Sequence, residues 1–140
     1  MEQPKHSLSE IRAFFQEDRY ATEATGIVIE EARPGYARVS LTLEPRHKNA
    51  AGRVMGAVYY TMADFAFAVA SNADLEDGPL TLTMGGHILF LAAAEGNTLI
   101  AEATALRTGR TSAFYEMTVK DSRGVLCAKV QSEGCRIARR

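Results

Sequence analysis

A polar, glycine-bearing loop at residues 47–57 opens directly into an apolar segment that runs from Val58 to Asn72. Apolar residues occupy nearly every position of this segment, which is typical of a helix buried inside a protein rather than one lying on its surface. Its one acidic residue is Asp64. Because an ionised carboxylate is costly to bury without partners, a lone acid in an apolar helix needs a reason, and catalysis is one such reason.

The length of 140 residues and the balance of charge fit one domain, spanning residues 1–140, with its own core. Sixteen basic and seventeen acidic residues give a net charge of −1, which offers no footprint for nucleic acid or an anionic membrane. No apolar run reaches the length of a membrane span, and Met1 to His6 lacks the apolar core of a signal peptide. We expect a cytoplasmic protein.

The two cysteines do not indicate a metal site. Cys127 and Cys135 lack the C-x-x-C spacing of metal ligands, and no histidine lies near them in the sequence. They do not form the pattern of a disulfide framework either. The sequence therefore predicts no bound metal.

The periodicity of the apolar residues predicts two helices and six strands. Ser7-Leu8-Ser9-Glu10 fits a capping box, and a short amphipathic helix is expected from about Leu8 to Asp18. A hairpin of two strands is predicted around Arg33-Pro34-Gly35, and the long helix from Met55 to about Ser71. Four further strands are predicted at 80–91, 98–107, 112–121 and 125–137.

One antiparallel sheet wrapped around a single central helix satisfies this order of elements best, which is an α+β architecture. Gly85-Gly86 in the third strand indicates a bulge or a close approach of another part of the chain. A helix that is apolar on all sides needs cover beyond one concave sheet face. We therefore expect a second subunit to supply that cover.

The spacing of residues around Asp64 resembles that of the hotdog-fold acyl-CoA thioesterases, most closely the phenylacetic-acid-degradation (PaaI-like) branch. Those proteins show H-x-N-x-x-G-x-x-H-G-G before a helix that contains L-A-D. Here His47-x-Asn49 leads to Met55-Gly56-Ala57 and then to Met62-Ala63-Asp64. Turns at 96–99, 106–111 and 121–128 also resemble the family, so the similarity covers about residues 26–137. Met55 departs from the family, which has a histidine there, and Ala57 replaces its second glycine.

The resemblance implies a hotdog fold and hydrolysis of an acyl-CoA thioester, with coenzyme A as part of the substrate and no separate cofactor. It assigns the contact with the oxyanion to the backbone N–H of Gly56, and a hydrogen bond to the water or the thioester to Asn49. Asp64 would act as a general base on water or attack the carbonyl directly, and the sequence does not separate these two roles.

The spacing of Gly56 and Asp64 predicts a site shared between subunits. They are eight residues apart, which is about 12 Å along a helix at ~1.5 Å per residue. Both groups must lie within roughly 3 Å of the reacting atoms, so one straight helix cannot present both to one carbonyl. Antiparallel packing of two helices across a two-fold axis solves this, and the resemblance also implies it. We expect a homodimer with two sites, and a dimer of dimers as the larger assembly.

Five further residues are candidates for contacts with the substrate: Met55, Thr83, Arg107, Arg110 and Thr111. The two arginines flank a glycine in a predicted hairpin, where guanidinium groups can meet the phosphates of coenzyme A, and the threonine beside them adds a hydroxyl. The other threonine lies in the strand that leads to the glycine pair and is a polar candidate near the acyl group. A solvated hairpin and an ordinary strand threonine are the structural alternatives.

Two other functions stay open at this point. Met55 in place of the family histidine fits a non-catalytic module that binds acyl-CoA. A hotdog hydratase or dehydratase would need an Asp–His pair, for which His87 in the third strand is the candidate. His47 lies in a polar run, where a solvated loop residue is expected.

Overall fold

The structure is a computed structural model that describes residues 5–139. Short helical turns join the main elements: a π-helical turn at Tyr20–Thr25 and 3-10 turns at Pro45–His47 and Leu75–Asp77. The order of helices and strands is the predicted one. In chain order they are α1 Leu8–Phe15, β1 Val28–Arg33, β2 Tyr36–Thr42, α2 Gly56–Ser71, β3 Leu80–Phe90, β4 Thr98–Thr108, β5 Ser112–Asp121 and β6 Leu126–Ile137.

The first helix is shorter than predicted. The Ser7 hydroxyl accepts the N–H of Glu10 at 3.1 Å, and the Glu10 carboxylate accepts the N–H of Ser7 at 3.0 Å, so the predicted capping box is formed. The helix ends at Phe15 rather than at Asp18, because residues 16–20 are all exposed and give a longer helix nothing to bury. The π-helical turn follows and closes at Gly26, whose φ of +93° favours glycine.

The six strands form one antiparallel sheet in the order β1-β2-β4-β5-β6-β3. The central helix α2 contacts all six strands. The prediction of an α+β fold with an antiparallel sheet around one central helix is therefore confirmed. The pairing of β3 with β6 shifts register between Thr83 and Gly85, which confirms an irregularity beside the glycine pair.

The core lies between the concave face of the sheet and α2, and α1 contacts α2 from another side. On the sheet side, the rings of Phe67 and Tyr115 pack edge to face with centroids 5.0 Å apart. On the other side, Phe15 of α1 packs against Phe65 with centroids 6.2 Å apart. Met62, Phe65 and Phe67 thus belong to the core rather than to a substrate pocket.

Within one chain, the helix α2 is not buried on all sides; the second subunit expected from the sequence would cover the rest. One set of its residues is half-buried or exposed, and most members are small or polar, which is why solvent can reach them. The members of this set follow one another at helical spacing, so they lie on one side of the helix, which we call the open face of α2. It comprises Gly56, Ala57, Tyr60, Thr61, Asp64, Ala68 and Ser71.

The edge strand β3 is held in register with α2 by Asn72. The Asn72 side-chain amide donates to the carbonyl oxygen of Thr81 at 3.0 Å, and the Thr81 N–H donates to Asn72 Oδ1 at 2.8 Å. Side chains alternate along a strand, so Thr83 lies on the same face as Thr81. The Asn72 contact therefore helps to place Thr83 against α2.

None of the helices formed by residues 5–139 has both the length and the hydropathy needed to cross a lipid bilayer.

Candidate active site

Asp64 lies on the open face of α2, and its carboxylate is joined to the edge strand. The Thr83 hydroxyl donates a hydrogen bond of 3.0 Å to Asp64 Oδ1. Asp64 is half-buried and Thr83 is exposed, so a ligand can reach the pair. The structure thus brings together two residues that the sequence put forward separately.

The amino end of α2 has free hydrogen-bond donors. The residue before the helix, Met55, has an extended backbone and supplies no side-chain cap. The Val58 N–H bonds to the Met55 carbonyl at 3.0 Å, whereas no acceptor for the Gly56 N–H is found in residues 5–139. An uncapped helix start combines free N–H groups with the positive end of the helix dipole, which suits a developing oxyanion.

The ring of Phe90 covers Gly56. A Cβ added at residue 56 would lie 2.9 Å from the end of the Phe90 ring, closer than ordinary contact, so a larger residue there would require this exposed ring to shift. A cavity of about 480 Å³ lies beside the pair and is lined by Val54, Tyr59 and Leu91 among others. A second cavity, of about 190 Å³, lies on the other side of the helix start between Met55, Tyr20 and Thr61.

Asn49 organises the loop before α2. Its side-chain oxygen accepts the N–H groups of Ala51 and Arg53, both at 3.0 Å, and its own N–H donates to the Arg53 carbonyl at 2.7 Å. Asn49 therefore has a structural role in this turn. With the oxygen occupied, the side-chain NH₂ is the group that Asn49 has left for a substrate.

A second carboxylate stands near Asp64. Although Asp18 is exposed as a whole, desolvation of its carboxyl group by neighbouring atoms, and next the negative charge of Asp64, raise the pKa of Asp18 above its usual range. The peptide N–H of Asp18 bonds to the Phe15 carbonyl at 3.0 Å, and Phe15 packs on Phe65, the neighbour of Asp64. Nothing in the sequence indicates this approach, because the two acids are distant in the chain and belong to different elements.

The hairpin of Arg107, Arg110 and Thr111 lies at the opposite end of the sheet from Gly56 of the same chain. The Arg136 N–H bonds to the Thr111 carbonyl at 2.9 Å, at the edge where α2 ends. All three predicted residues are exposed. In residues 5–139 neither Arg107 nor Arg110 lies within ion-pair distance of a carboxylate. One chain thus does not bring this hairpin to its own oxyanion candidate.

The two histidines weighed from the sequence have different surroundings. His47 is only 3% exposed, so the prediction of a solvated loop residue was wrong. Its Nδ1 accepts the Glu44 N–H at 2.9 Å and its Nε2 bonds to the Thr25 carbonyl at 2.7 Å, which ties the loop to the π-helical turn. His87 is exposed and, by alternation, points to the face of β3 opposite Gly86. Neither His47 nor His87 pairs with an aspartate among the described residues; the Asp–His contact that does form joins His6 Nε2 to Asp77 Oδ2 at 2.8 Å, away from Asp64.

Asp121 is a buried acid that the sequence treated only as part of a turn. Its carboxylate accepts four backbone N–H groups, from Glu95, Gly96, Arg123 and Val125, at 2.6 to 2.9 Å. Burial alone would raise the pKa of Asp121, but these four donors lower it to about 2. This acid joins two loops and lies outside the candidate site.

Metal-ligating side chains are dispersed in the described chain. No group of three His, Cys, Asp or Glu residues with metal-binding geometry occurs in residues 5–139. Cys127 is buried and Cys135 is half-buried, and both are free thiols.

Most of the chain matches a known protein family. The model of the Thioesterase superfamily matches residues 51–128, more than half of the chain. The chain belongs to the Thioesterase superfamily. The matched region of this superfamily member includes Gly56, Asp64 and Thr83, but not Asn49.

Two curated relatives agree with the family. A protein of Archaeoglobus fulgidus named "Putative esterase" is 40% identical over 101 residues, and one of the same name from Deinococcus radiodurans is 39% identical over 98 residues. These alignments cover 71% and 70% of this chain. They span 64% and 65% of the relatives' own lengths, so each relative is longer than the part matched here.

Solved structures share the fold. The E. coli PaaI protein from the phenylacetic acid degradation operon has a TM-score of 0.80 and 25% identity, covering 94% of this chain and 97% of its own. The TT0310 protein of Thermus thermophilus has a TM-score of 0.75 and 27% identity, covering 83% and 96%. Thioesterase HI1161 of Haemophilus influenzae, at 17% identity, shows the fold alone, with a TM-score of 0.85 over 96% and 92%. The resemblance to hotdog thioesterases seen in the sequence is confirmed.

Proposed function

We propose that this chain is an acyl-CoA thioesterase that hydrolyses a small, aromatic or medium-chain acyl-CoA to the free acid and coenzyme A. It acts as a homodimer in which Asp64 of one subunit and Gly56 of the partner subunit meet at the same thioester. The observation that carries this proposal is the Asp64–Thr83 pair on the open face of α2, on the helix whose uncapped start offers free N–H donors.

The edge strand supports the dimer. Because β3 ends the sheet, one side of its backbone is unpaired and can pair with a second copy. Its exposed apolar residues are Leu82, Met84, Leu89 and Phe90. Pairing two β3 strands antiparallel across a two-fold axis would extend the sheet and set the open faces of two α2 helices against each other.

The chemistry divides between the two helices. The carboxylate of Asp64 takes the proton of an attacking water, or attacks the acyl carbon itself. The Gly56 N–H of the partner subunit holds the oxygen on which negative charge develops. The side-chain NH₂ of Asn49 orients the water or the thioester. No step needs a group other than the chain, water and the substrate.

The charge of the β4–β5 hairpin fits the nucleotide part of the substrate. Arg107 and Arg110 are exposed cations free of ion pairs in the described chain, and Thr111 adds a hydroxyl. The hairpin lies at the end of its own sheet where α2 finishes, and antiparallel helices bring the partner's Gly56 toward that end. The phosphates of coenzyme A would then bind to one subunit while the carbonyl contacts the other.

The cavities beside the start of α2 suit a compact acyl group. Met55 is 44% exposed and lines the 190 Å³ cavity with a flexible thioether, which adapts to varied apolar shapes. The E. coli relative comes from a phenylacetic acid degradation operon, which favours an aromatic acyl group here.

Exposed apolar residues on the outer sheet face support a dimer of dimers. Leu106 and Phe114 are 57% and 39% exposed and flank a cavity of about 280 Å³ that is lined by residues of β3, β4, β5 and β6. Apolar surface of this kind is typical of a contact between proteins.

The test is release of free thiol from a panel of short, aromatic and long acyl-CoA thioesters. We expect turnover with at least one aromatic or medium-chain member, and loss of at least roughly a hundredfold in kcat for Asp64→Asn with the oligomer intact. Binding without release of thiol across the panel would overturn the assignment. Unchanged turnover by Asp64→Asn would remove that residue from the mechanism.

Met55 favours one second candidate function, a non-catalytic module that binds acyl-CoA. A thioether at this position offers no strong hydrogen bond to a carbonyl, unlike the histidine that the family pattern has there. Restoring the imidazole with Met55→His separates the two cases. A thioesterase keeps measurable turnover with methionine, whereas a binding module gains turnover only with histidine.

A further inference from the structure

The open face of α2 carries one hydroxyl whose hydrogen is free. Thr61 and Ser71 donate their hydroxyls to carbonyls of their own helix, at 2.8 and 2.7 Å. The Thr83 hydroxyl facing them is committed to Asp64. Within residues 5–139, the hydroxyl of Tyr60 has no acceptor, although Tyr60 is only half exposed. A free donor therefore stands one helical turn before Asp64 on the same face.

The glycine pair of β3 makes room for this hydroxyl. A Cβ added at Gly86 would lie 2.5 Å from the Tyr60 hydroxyl oxygen and 2.9 Å from the Ser132 hydroxyl oxygen. Any side chain at residue 86 would therefore push the tyrosine away from the strand. At Gly85 an added Cβ would meet only the far end of the exposed Glu133 side chain, at 3.0 Å. Of the two glycines, only Gly86 thus lies against the Tyr60 hydroxyl.

Three polar side chains converge at this point of the inner face of β3. Thr83 and Gly86 flank the bulge and both face α2, where they meet Asp64 and Tyr60 respectively. The carboxylate of Asp64 accepts hydrogen bonds and Thr83 is already used, so Tyr60 is the donor left for a bound substrate.

We propose that Tyr60 is a further catalytic residue, whose hydroxyl donates a hydrogen bond to the sulfur of the departing thiolate. This inference rests on the thioesterase function proposed above. The carbonyl oxygen of the thioester is held by the partner's Gly56, which leaves the sulfur as the second atom on which charge develops. The absence of a side chain at Gly86 leaves the space that the Tyr60 hydroxyl occupies for this contact.

The step balances without any other reactant. The water oxygen bonds to the acyl carbon while Asp64 takes the water proton. The carbon–sulfur bond then breaks and its electron pair leaves on sulfur, which accepts the hydrogen bond of Tyr60. After release the thiolate takes a proton from solvent, and Asp64 returns its proton to solvent. If Asp64 attacks the carbon directly, the sulfur leaves in the same way and water then hydrolyses the resulting anhydride to the free acid and the Asp64 carboxylate. The role of Tyr60 therefore does not depend on which mechanism operates.

The first test varies the leaving group. Tyr60→Phe removes the donor and keeps the ring, and we expect kcat for an acyl-CoA to fall by about tenfold to a hundredfold. In a thioester of the same acid with 4-nitrothiophenol, the thiolate leaves without help because it is already stabilised. The kcat of Tyr60→Phe for this substrate should therefore differ from the wild-type value by less than about threefold. Tyr36→Phe, which removes a hydroxyl bonded to Glu102 outside the site, is the matched control.

The second test uses the gap at residue 86. We expect Gly86→Ala to lower kcat for the acyl-CoA as Tyr60→Phe does, and Gly85→Ala to leave it unchanged. Combining Gly86→Ala with Tyr60→Phe should lower kcat no further than Tyr60→Phe alone, since the displaced hydroxyl is already absent.

Three results would overturn the inference: equal losses for both leaving groups, unchanged kcat in Tyr60→Phe, or additive losses in the double variant. A wild-type protein that hydrolyses acyl-CoA and needs Asp64 but not Tyr60 defeats this inference alone. A wild-type protein without hydrolysis defeats the proposed function as well.

Discussion

The Thr83 hydroxyl donates a 3.0 Å hydrogen bond to Oδ1 of Asp64, joining the edge strand to the central helix. Thr83→Val keeps the shape of the side chain and removes this donor. We expect kcat for acyl-CoA hydrolysis to fall about tenfold or more, because a hydrogen bond to a charged group contributes about 1.5–3 kcal/mol.

The matched control for Thr83→Val is Thr104→Val, a change at an exposed strand threonine of β4 outside the site. Its kcat should equal that of the wild type. Equal effects of the two substitutions would show that the contact does nothing for Asp64.

His47 ties the loop before α2 to the π-helical turn through two hydrogen bonds. His47→Ala leaves the Glu44 N–H and the Thr25 carbonyl without these partners, and the latter residue is buried. We expect the free energy of unfolding, measured with denaturant, to fall by about 2–4 kcal/mol. His87→Ala, at an exposed position, should change it by less than about 0.5 kcal/mol. Equal small effects would contradict the buried role of His47.

Asp121 makes the stability of the folded chain depend on pH in the acid range. Its pKa is about 2 in the folded chain against an ordinary value of 3.8, so the folded state favours the ionised form. This stabilisation is complete above about pH 4 and is lost as the pH falls toward about 2. We expect Asp121→Asn to have a lower Tm than the wild type at neutral pH, with the difference shrinking across that acid range. A difference that is constant with pH would contradict the role of the four N–H donors.

Asp18 reports on the charge of the candidate base. Part of the rise in its pKa comes from the negative charge of Asp64. Asp64→Asn removes that charge, so the pKa of Asp18 should move down toward its ordinary value, while Glu17→Gln should leave it in place. Carboxyl carbon chemical shifts followed by NMR from acid to neutral pH measure this directly. An unchanged pKa of Asp18 in Asp64→Asn would contradict an electrostatic interaction between the two acids.

Much of the fold was readable from the sequence because its signals are local. The capping box at Ser7 and Glu10, the alternation in β5 and the turns between the later strands depend on neighbouring residues, and the structure has them. The length of α1 was not readable, since its end depends on what residues 16–20 have to pack against.

The candidate site was only partly readable. The spacing of Gly56 and Asp64 follows from helix geometry and could be stated beforehand. The Thr83–Asp64 contact, the approach of Asp18 and the cover of Phe90 over Gly56 join residues distant in the chain. His47 was misread because its polar neighbours in the chain carry no sign of the turn that buries it.

The central claim is that each site takes Asp64 from one subunit and Gly56 from the other. Two variants test it. Asp64→Asn removes the base, and Gly56→Pro removes the N–H at the first position of α2, where proline is tolerated. The extended backbone of Met55 suits a following proline. Gly56→Ala keeps the N–H and controls for the contact with Phe90.

The decisive measurement is thiol release by heterodimers of these two variants, co-expressed with different tags and purified on both. Each variant alone should be nearly inactive. In the mixed dimer one site carries both defects and the other carries neither, so about half of the wild-type kcat per dimer should return. A mixed dimer no more active than its parents would contradict the shared site.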